Sequence, residues 1–581
     1  MARFPYNPFN MNSGFGRNFI EHYNETLKLM GMDSGEQKAR VDNLIRNTPQ
    51  PSETVDIRLD DEGIEHSTAR ERISSDYKKT LNHINNVSSD VDSIFNQPTK
   101  YDILPNLGDQ SAKIQAALQD SQSFKFPFGK YRIDNKVKVT TPTVLIGDNG
   151  ETSIDIMSNQ QADGTRLLFE GVDGIIIRDI KFSEINSVLK RSNLYGTLAF
   201  EGCKNIILDN VEIDGANGVA MHFINCENII IINPRILNTK ADGMHFQRGC
   251  RNVKIFYPYF QYTEDDCIGF VSHGYEEYGQ CDGLEVWGGI YRDVIGTGSG
   301  ICGDGSKNIK INGVDIKNTP LASIRINPLQ DSGSTRYVYP SNFEVTNATL
   351  DSSGLSTAVG QKSAITAYRT NNVKIKDITM RNCKGGIYAL ECEGLIDISS
   401  LQSQSCGERL IWVSTKTIQN VLAIIKLSDV LSKKNDTDAI YIEGIAFKPE
   451  LIVISNCDMT DINPNNKSNI YGIFIDTAKH VHIKNNTIYS KEGSQITKIM
   501  TKNCDVVTRL NNFPFDVNEV MYIGDTKHSM GEGPPTTGYH KAGEVVWNWN
   551  PSSADNVSYW ECRLSGTPGV WGNVKFSEGL G

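Results

Sequence analysis

"GCKNIILDNVEIDGANGVAMHF" (202–223), "NCENIIIINPRILNTKADGMHF" (225–246) and "GCRNVKIFYPYFQYTEDDCIGF" (249–270) are three lines of one pattern. Cys203, Cys226 and Cys250 stand near the start of each line, and Asn205, Asn228 and Asn252 follow two positions on. Phe223, Phe246 and Phe270 close the lines, with Met221, Met244 and Ile268 two residues before them. A fixed period of 23 to 24 residues is the mark of a solenoid. Each line holds two or three short β-rich runs and no helical period, so the repeating unit is a coil of short strands. Coils stacked at roughly 4.8 Å would turn equivalent positions into ladders. The expected fold class is therefore mainly β, a right-handed parallel β-helix. The cysteines then read as small buried hydrophobes.

Weaker rungs extend the pattern on both sides, at 172–182 and 195–200, then at 306–326, 371–390, 450–462 and 479–490. The coil is expected to fill residues 99–515. A stretch such as 271–295 breaks the period and reads as an inserted loop on the binding face. "NLGDQSAKIQAALQDS" (106–121) reads as a capped amphipathic helix with Ile114, Ala117 and Leu118 inward, suited to covering the exposed end of the coil. Residues 1–98 form a separate region, helical at 17–46 and 68–96. There Tyr77, Leu81, Ile84, Val91 and Phe95 trace either a short coiled-coil seam or an ordinary amphipathic face. Residues 525–581 form a third region, holding Trp547, Trp549, Trp560 and Trp571 among Gly and Pro. It reads as a small β-module whose tryptophans serve as a core or as a sugar-stacking surface.

Composition narrows the function classes. A net charge of -11 argues against a nucleic-acid partner. No apolar run is long enough to span a membrane. The first residues, "MARFPYNPFNMNSGFGRNF", lack a secretory apolar segment, which predicts synthesis in a cytosol and twelve free thiols. No CxxC pair suggests zinc, so no metal is assigned.

The carboxylates carry the chemical signal. The repeat places Asp242 and Asp266 in one column, 24 residues apart, with Asp265 beside them. Three carboxylates so close repel, and at least one is expected to keep a proton near neutral pH. That supplies a general acid next to a general base. Asp265 is expected to be the acid, with Asp242 and Asp266 holding the water. His222, His245 and Arg325 fall in the neighbouring outward column, where they would bind substrate. Two other readings of the acids stand: Asx turns that bond backbone amides, and a calcium site.

The termini and the opening coil carry a resemblance. "YDILPNLGDQSAKIQAALQDS" followed by "FPFGKYRI" resembles the opening of pectate-lyase-like β-helices in bacteriophage tail spikes. "PSETVDIRLDDEGIEHSTARERISSDY" (51–77) is similar to a segment of tail and baseplate proteins from phages of Gram-positive hosts. "TTGYHKAGEVVWN" and "GTPGVW" resemble small C-terminal modules of the same proteins. The resemblance implies a homotrimeric virion tail component, made in the host cytoplasm and acting at the host surface. There it would contact cell-surface polysaccharide or teichoic acid, with residues 1–98 attaching it to other tail or baseplate proteins. A second resemblance is to polygalacturonase-type glycoside hydrolases, which place Asp-Gly, then Asp-Asp-Cys-Ile, then Gly-His-Gly, then Arg-Ile-Lys along the coil. "NTKADGMHF" with Asp242 and "EDDCIGF" with Asp265 and Asp266 match it; Thr297 stands for the His and Asn327 for the Lys, while Arg325 is kept. It implies an inverting hydrolase that needs no cofactor, with Thr297 and Arg325 facing substrate. A non-catalytic adhesive fibre and a calcium-dependent lyase are the alternatives.

Overall fold

The computed structural model describes Ser75 and residues 98–575, except 121–122, 149–150, 158–166, 186–195, 332–333, 356–361, 416–422, 445–447, 463–469, 491–495, 511–519, 524–525, 532 and 549–556. The helices expected at 17–46 and 68–96, Ser75 apart, lie outside the described residues, and so does the seam.

From Ser123 to Leu510 the chain is a parallel β-helix. Each coil in the clear repeat contributes three strands. Lys204–Asp209, Glu212–Asp214 and Met221–Ile224 are followed by Glu227–Ile232, Arg235–Thr239 and Met244–Gln247. Arg251–Phe256, Tyr259–Thr263 and Ile268–Phe270 make the third coil. Every strand pairs in parallel with its counterpart one coil on. Met221 lies against Met244, Met244 against Ile268, and the inward column runs on through Ile301, Ile324, Ile365, Ile387, Ile411 and Ile440.

Three ladders explain why this sequence coils. The inner one is aromatic: Phe169, Phe200, Phe223 and Phe246 stack nearly parallel, with centroids 5.0, 4.8 and 4.6 Å apart. Phe270 breaks the stack and meets Phe246 edge-on at 6.1 Å. The cysteine ladder is buried and unbridged, as expected of small hydrophobes. The asparagine ladder is conformational. Asn205, Asn228 and Asn252 have φ of 54, 58 and 53°, a left-handed geometry that Asn tolerates better than other non-glycine residues. Their amides bond rung to rung, Asn228 Nδ2 to Asn205 Oδ1 at 3.0 Å and Asn252 Nδ2 to Asn228 Oδ1 at 2.9 Å.

The helix Ser111–Asp120 buries Ile114, Ala117 and Leu118, as its spacing predicts. The expectation of a loop over 271–295 is corrected. Only 271–281 is inserted, carrying a short helix at Tyr275–Tyr278; Asp282–Trp287 and Ile290–Arg292 are the first two strands of the next coil. The rung was hidden because Gly283, φ 79°, takes the turn that Asn takes in the three clear lines. Cys281 keeps the cysteine position and is buried.

Beyond the coil, Val520–Ile523, Thr526–Gly531, Val545–Asn548, Val557–Leu564 and Val570–Lys575 form a small, mostly antiparallel sheet. Val546, Val557 and Trp560 are its core, with Trp571 packed against it. Trp547 lies outward, 39% exposed, with its ring 4.8 Å from Tyr559.

Candidate active site

The turn between the second and third strand of each coil places the acids. Asp242 lies between Arg235–Thr239 and Met244–Gln247, and Asp266 one coil on, between Tyr259–Thr263 and Ile268–Phe270. Backbone bonds lock the two turns together, with Gly243 N–H donating to Asp266 O at 2.9 Å. Asp242, Asp265 and Asp266 each bring one carboxylate oxygen within 4.8 Å of the others. That is tighter than the separation of roughly 6.5–9.5 Å that leaves a water between the carboxyl groups of an inverting pair. Asp242 and Asp266 are buried and Asp265 is half-buried.

Glycines make this crowding possible. A side chain at Gly298 would sit 2.1 Å from the Asp265 carbonyl carbon, so the turn of the next coil lies flat on the Asp265–Asp266 peptide. A Cβ on Gly269 would sit 3.0 Å from both Asp242 Oδ2 and His245 Nδ1. Its absence leaves room for those two groups to bond to each other, which they do.

Each carboxylate has its own environment. Asp242 bonds His245 Nδ1. Burial opposes a charge on His245, but the carboxylate of Asp242 more than offsets this, and His245 keeps its proton to higher pH than a free imidazole. Asp266 accepts Ser299 N–H at 2.6 Å and Arg325 Nη2 at 3.1 Å. Burial pushes its pKa up to about 7; Arg325 opposes that, and Asp242 and Asp265 add to it. Asp265 Oδ1 accepts the Asp266 N–H at 3.1 Å, a bond to the next residue and not the two-residue reach of an Asx turn.

The residues expected to bind substrate fall in different places. His245 and Arg325 reach the cluster, but both are engaged by acids. Arg325 Nη2 also lies 2.8 Å from Cys302 Sγ and 3.7 Å from Asp304 Oδ2. Asn327, where the resemblance has Lys, donates a backbone bond to Asp304, which lowers that carboxylate's affinity for a proton. His222 is buried one rung behind, its Nε2 2.8 Å from Gln247 Nε2, and burial drives its pKa down to about 3. It is thus neither in the cluster nor the solvated outer histidine that a bare ladder would give. Thr297 is exposed, with its N–H on Glu264 O at 3.3 Å.

Three participants were missed in the sequence. The Ser299 N–H holds Asp266; Ser299 stands at the Asp242–Asp266 position one coil later, a signal the repeat does contain. Asp304 is half-buried beside Arg325, and desolvation raises its pKa against the pull of that guanidinium. His273 stacks 6.3 Å from His245 and bonds Asp331 Oδ1 at 3.1 Å; nothing local announces it, because Asp331 is 58 residues away. The acid trio has the spacing to hold a metal ion, and Arg325 already supplies positive charge there.

No protein-family model matches the chain, and no curated protein matches it in sequence. Among solved structures, the catalytic unit of the thermostable GH87 α-1,3-glucanase from Streptomyces thermodiastaticus is similar over 73% of this chain and 69% of its own, at 12% identity and TM-score 0.37. The A-module of the Azotobacter vinelandii mannuronan C-5 epimerase AlgE6 is similar over 72% and 99%, at 11% identity and TM-score 0.36. The Streptococcus pneumoniae surface protein and adhesin PfbA is similar over 74% and 98%, at 12% identity and TM-score 0.33. At such identities and scores these likenesses bear on neither the site nor the reaction.

Proposed function

We propose that the chain hydrolyses a glycan by carboxylate acid–base catalysis at Asp242, Asp265 and Asp266. One observation carries this reading: three carboxylates share one turn of adjacent coils, and the most buried of them holds its proton up to about pH 7. Asp266 then enters the reaction with one proton to give. Asp265, the least buried, relays the proton of Asp266 to the leaving oxygen, and Asp266, ionised by that transfer, takes a proton from the attacking water. Asp242, paired with His245, and Asp266, fixed by Ser299 N–H and Arg325, orient the attacking water. In the setting that the sequence resemblance implies, the chain is a trimeric phage tail spike and the glycan belongs to the host surface.

The test is reducing-end release from purified Gram-positive wall glycan. Asp265→Asn should lose at least 100-fold in rate while keeping its melting temperature, and chelation should leave the wild-type rate unchanged. The NMR signal of the first-formed anomer would report the stereochemistry. Unsaturated ultraviolet-absorbing products that vanish on chelation would sink the hydrolase in favour of a lyase. Binding without turnover would leave an adhesive rod.

A further inference from the structure

The outward column beside the acids does not stop at Arg325. Gly269 pairs with Cys302, Cys302 with Arg325, Arg325 with Thr366, Thr366 with Tyr388, Tyr388 with Trp412 and Trp412 with Tyr441. From Gly269 to Trp412 is five rungs, about 24 Å at the usual strand spacing. Past Thr366 the outward positions become aromatic. Tyr388 and Trp412 meet edge-on at 5.5 Å, and Trp412 and Tyr441 at 6.3 Å.

The turn column is reused as well. Asp242, Asp266 and Asp438 each stand two residues before the inward residue of their rung, Met244, Ile268 and Ile440. Arg409 holds the same place one coil before Asp438, and its Nε donates to Asp438 Oδ2 at 3.2 Å. Its guanidinium lies 4.3 Å over the Trp412 ring and 3.7 Å over Tyr441. The two columns that build the acid cluster therefore build a second group of polar and aromatic side chains, on the same face and in the same register.

Trp412 and Tyr441 are half-buried on the outer face, with Tyr388 buried beside them. Flat rings with fixed polar groups beside them suit the faces and hydroxyls of sugars. The charge selects among sugars. Arg409 stands among four carboxylates, Glu408, Asp438, Glu443 and Asp476: Glu408 accepts the Tyr388 hydroxyl at 3.3 Å and Glu443 the Trp412 Nε1–H at 3.1 Å. Asp476 lies rung to rung against Glu443. An excess of carboxylates repels uronate or phosphate groups.

We infer that Trp412 and Tyr441, backed by the buried Tyr388, with Arg409 and Asp438, form a distal subsite that binds a non-acidic polysaccharide, of neutral or amino sugars, whose strand runs along this face to the acids. The inference rests on the hydrolase reading for the far end of that strand, but its own test is binding. Full-length protein is applied to an array of neutral, amino-sugar, uronate and phosphate glycans, and affinity electrophoresis is run in dextran, glycol chitosan and polyglycerol phosphate. The expected result is retention by non-acidic glycans, weakened at least tenfold in Trp412→Ala and Tyr441→Ala and kept in Asp265→Asn. Trp412→Phe should retain most of it, and Glu443→Gln with Asp476→Asn should relax the exclusion of anionic polymers; these outer-face variants decide the matter if an alanine variant melts early. Equal binding by the Trp412 and Tyr441 variants, preference for acidic glycans, or no glycan bound at all would overturn the subsite. Binding lost in Trp412→Ala with no turnover by the wild type would sink the hydrolase alone. Turnover abolished in Asp265→Asn, with Trp412→Ala binding and cleaving like wild type, would sink the subsite alone.

Discussion

Asp266 concentrates the electrostatics of the molecule. It is 6% exposed, touches one guanidinium and one backbone N–H, and faces two further carboxylates. Its pKa is raised from the usual carboxylate range to about 7, and the sign of the consequence follows. Between about pH 4 and 7 the native state binds a proton that the unfolded chain has lost, so stability falls as pH rises through that window. Each tenfold change in proton affinity corresponds to about 1.4 kcal/mol. Thermal melts from pH 4 to 8 should show Asp266→Asn gaining on the wild type as pH rises to 7; parallel curves would refute the assignment. The rate of glycan hydrolysis should decline above about pH 7, as the trio gives up its shared proton. The repeat exposed Asp242 and Asp266 because they share a column. It did not expose Asp304 or His273, which join the group only because coils bring distant turns together.

The coil is the element that converts repetition into energy. Phe223 is fully buried between Phe200 and Phe246. Phe223→Ala should cost about 3–5 kcal/mol, measured by denaturant unfolding, with Phe223→Leu costing less. The asparagine ladder works differently. Asn228 holds φ of 58° and bonds both neighbours in the ladder. Asn228→Ala loses both bonds and adopts a strained backbone, of order 1–3 kcal/mol. Asn228→Gly restores the backbone freedom and should recover part of that loss; if Ala and Gly destabilise equally, the ladder acts through its bonds alone. Gly283, at the same turn with φ 79°, should tolerate Asn better than Ala. Its lack of a side chain is what hid this coil from a reading that sought Cys-x-Asn.

At the scale of the whole molecule the chain divides between Ile94 and Phe95. The β-helix buries its phenylalanine and isoleucine columns within residues after that point. We expect a chain of residues 95–581 to fold alone and to keep the melting transition and the hydrolytic rate of the full chain, within about twofold. Circular dichroism and the reducing-end assay would check this. A truncated chain that aggregates or loses its strand signal would place part of the coil's support before residue 95. Sedimentation of the full and truncated chains would show whether the proposed trimer depends on residues 1–94.

The amino-acid sequence by itself determined the β-helix, because period, ladder residues and inward columns are linear properties that survive without coordinates. It also determined the column of acids, since Asp242 and Asp266 recur at the repeat. Tertiary structure alone decided which groups those acids meet. The pairing of Asp242 with His245, the seating of Asp266 on the Ser299 N–H, and the meeting of Arg325 with Asp304 depend on adjacent turns closing on glycines that leave no room for a side chain. They depend too on an insertion at 271–281 that leaves the rungs in register. Proton affinity follows from burial and neighbours in three dimensions, and a residue's place along the chain fixes neither.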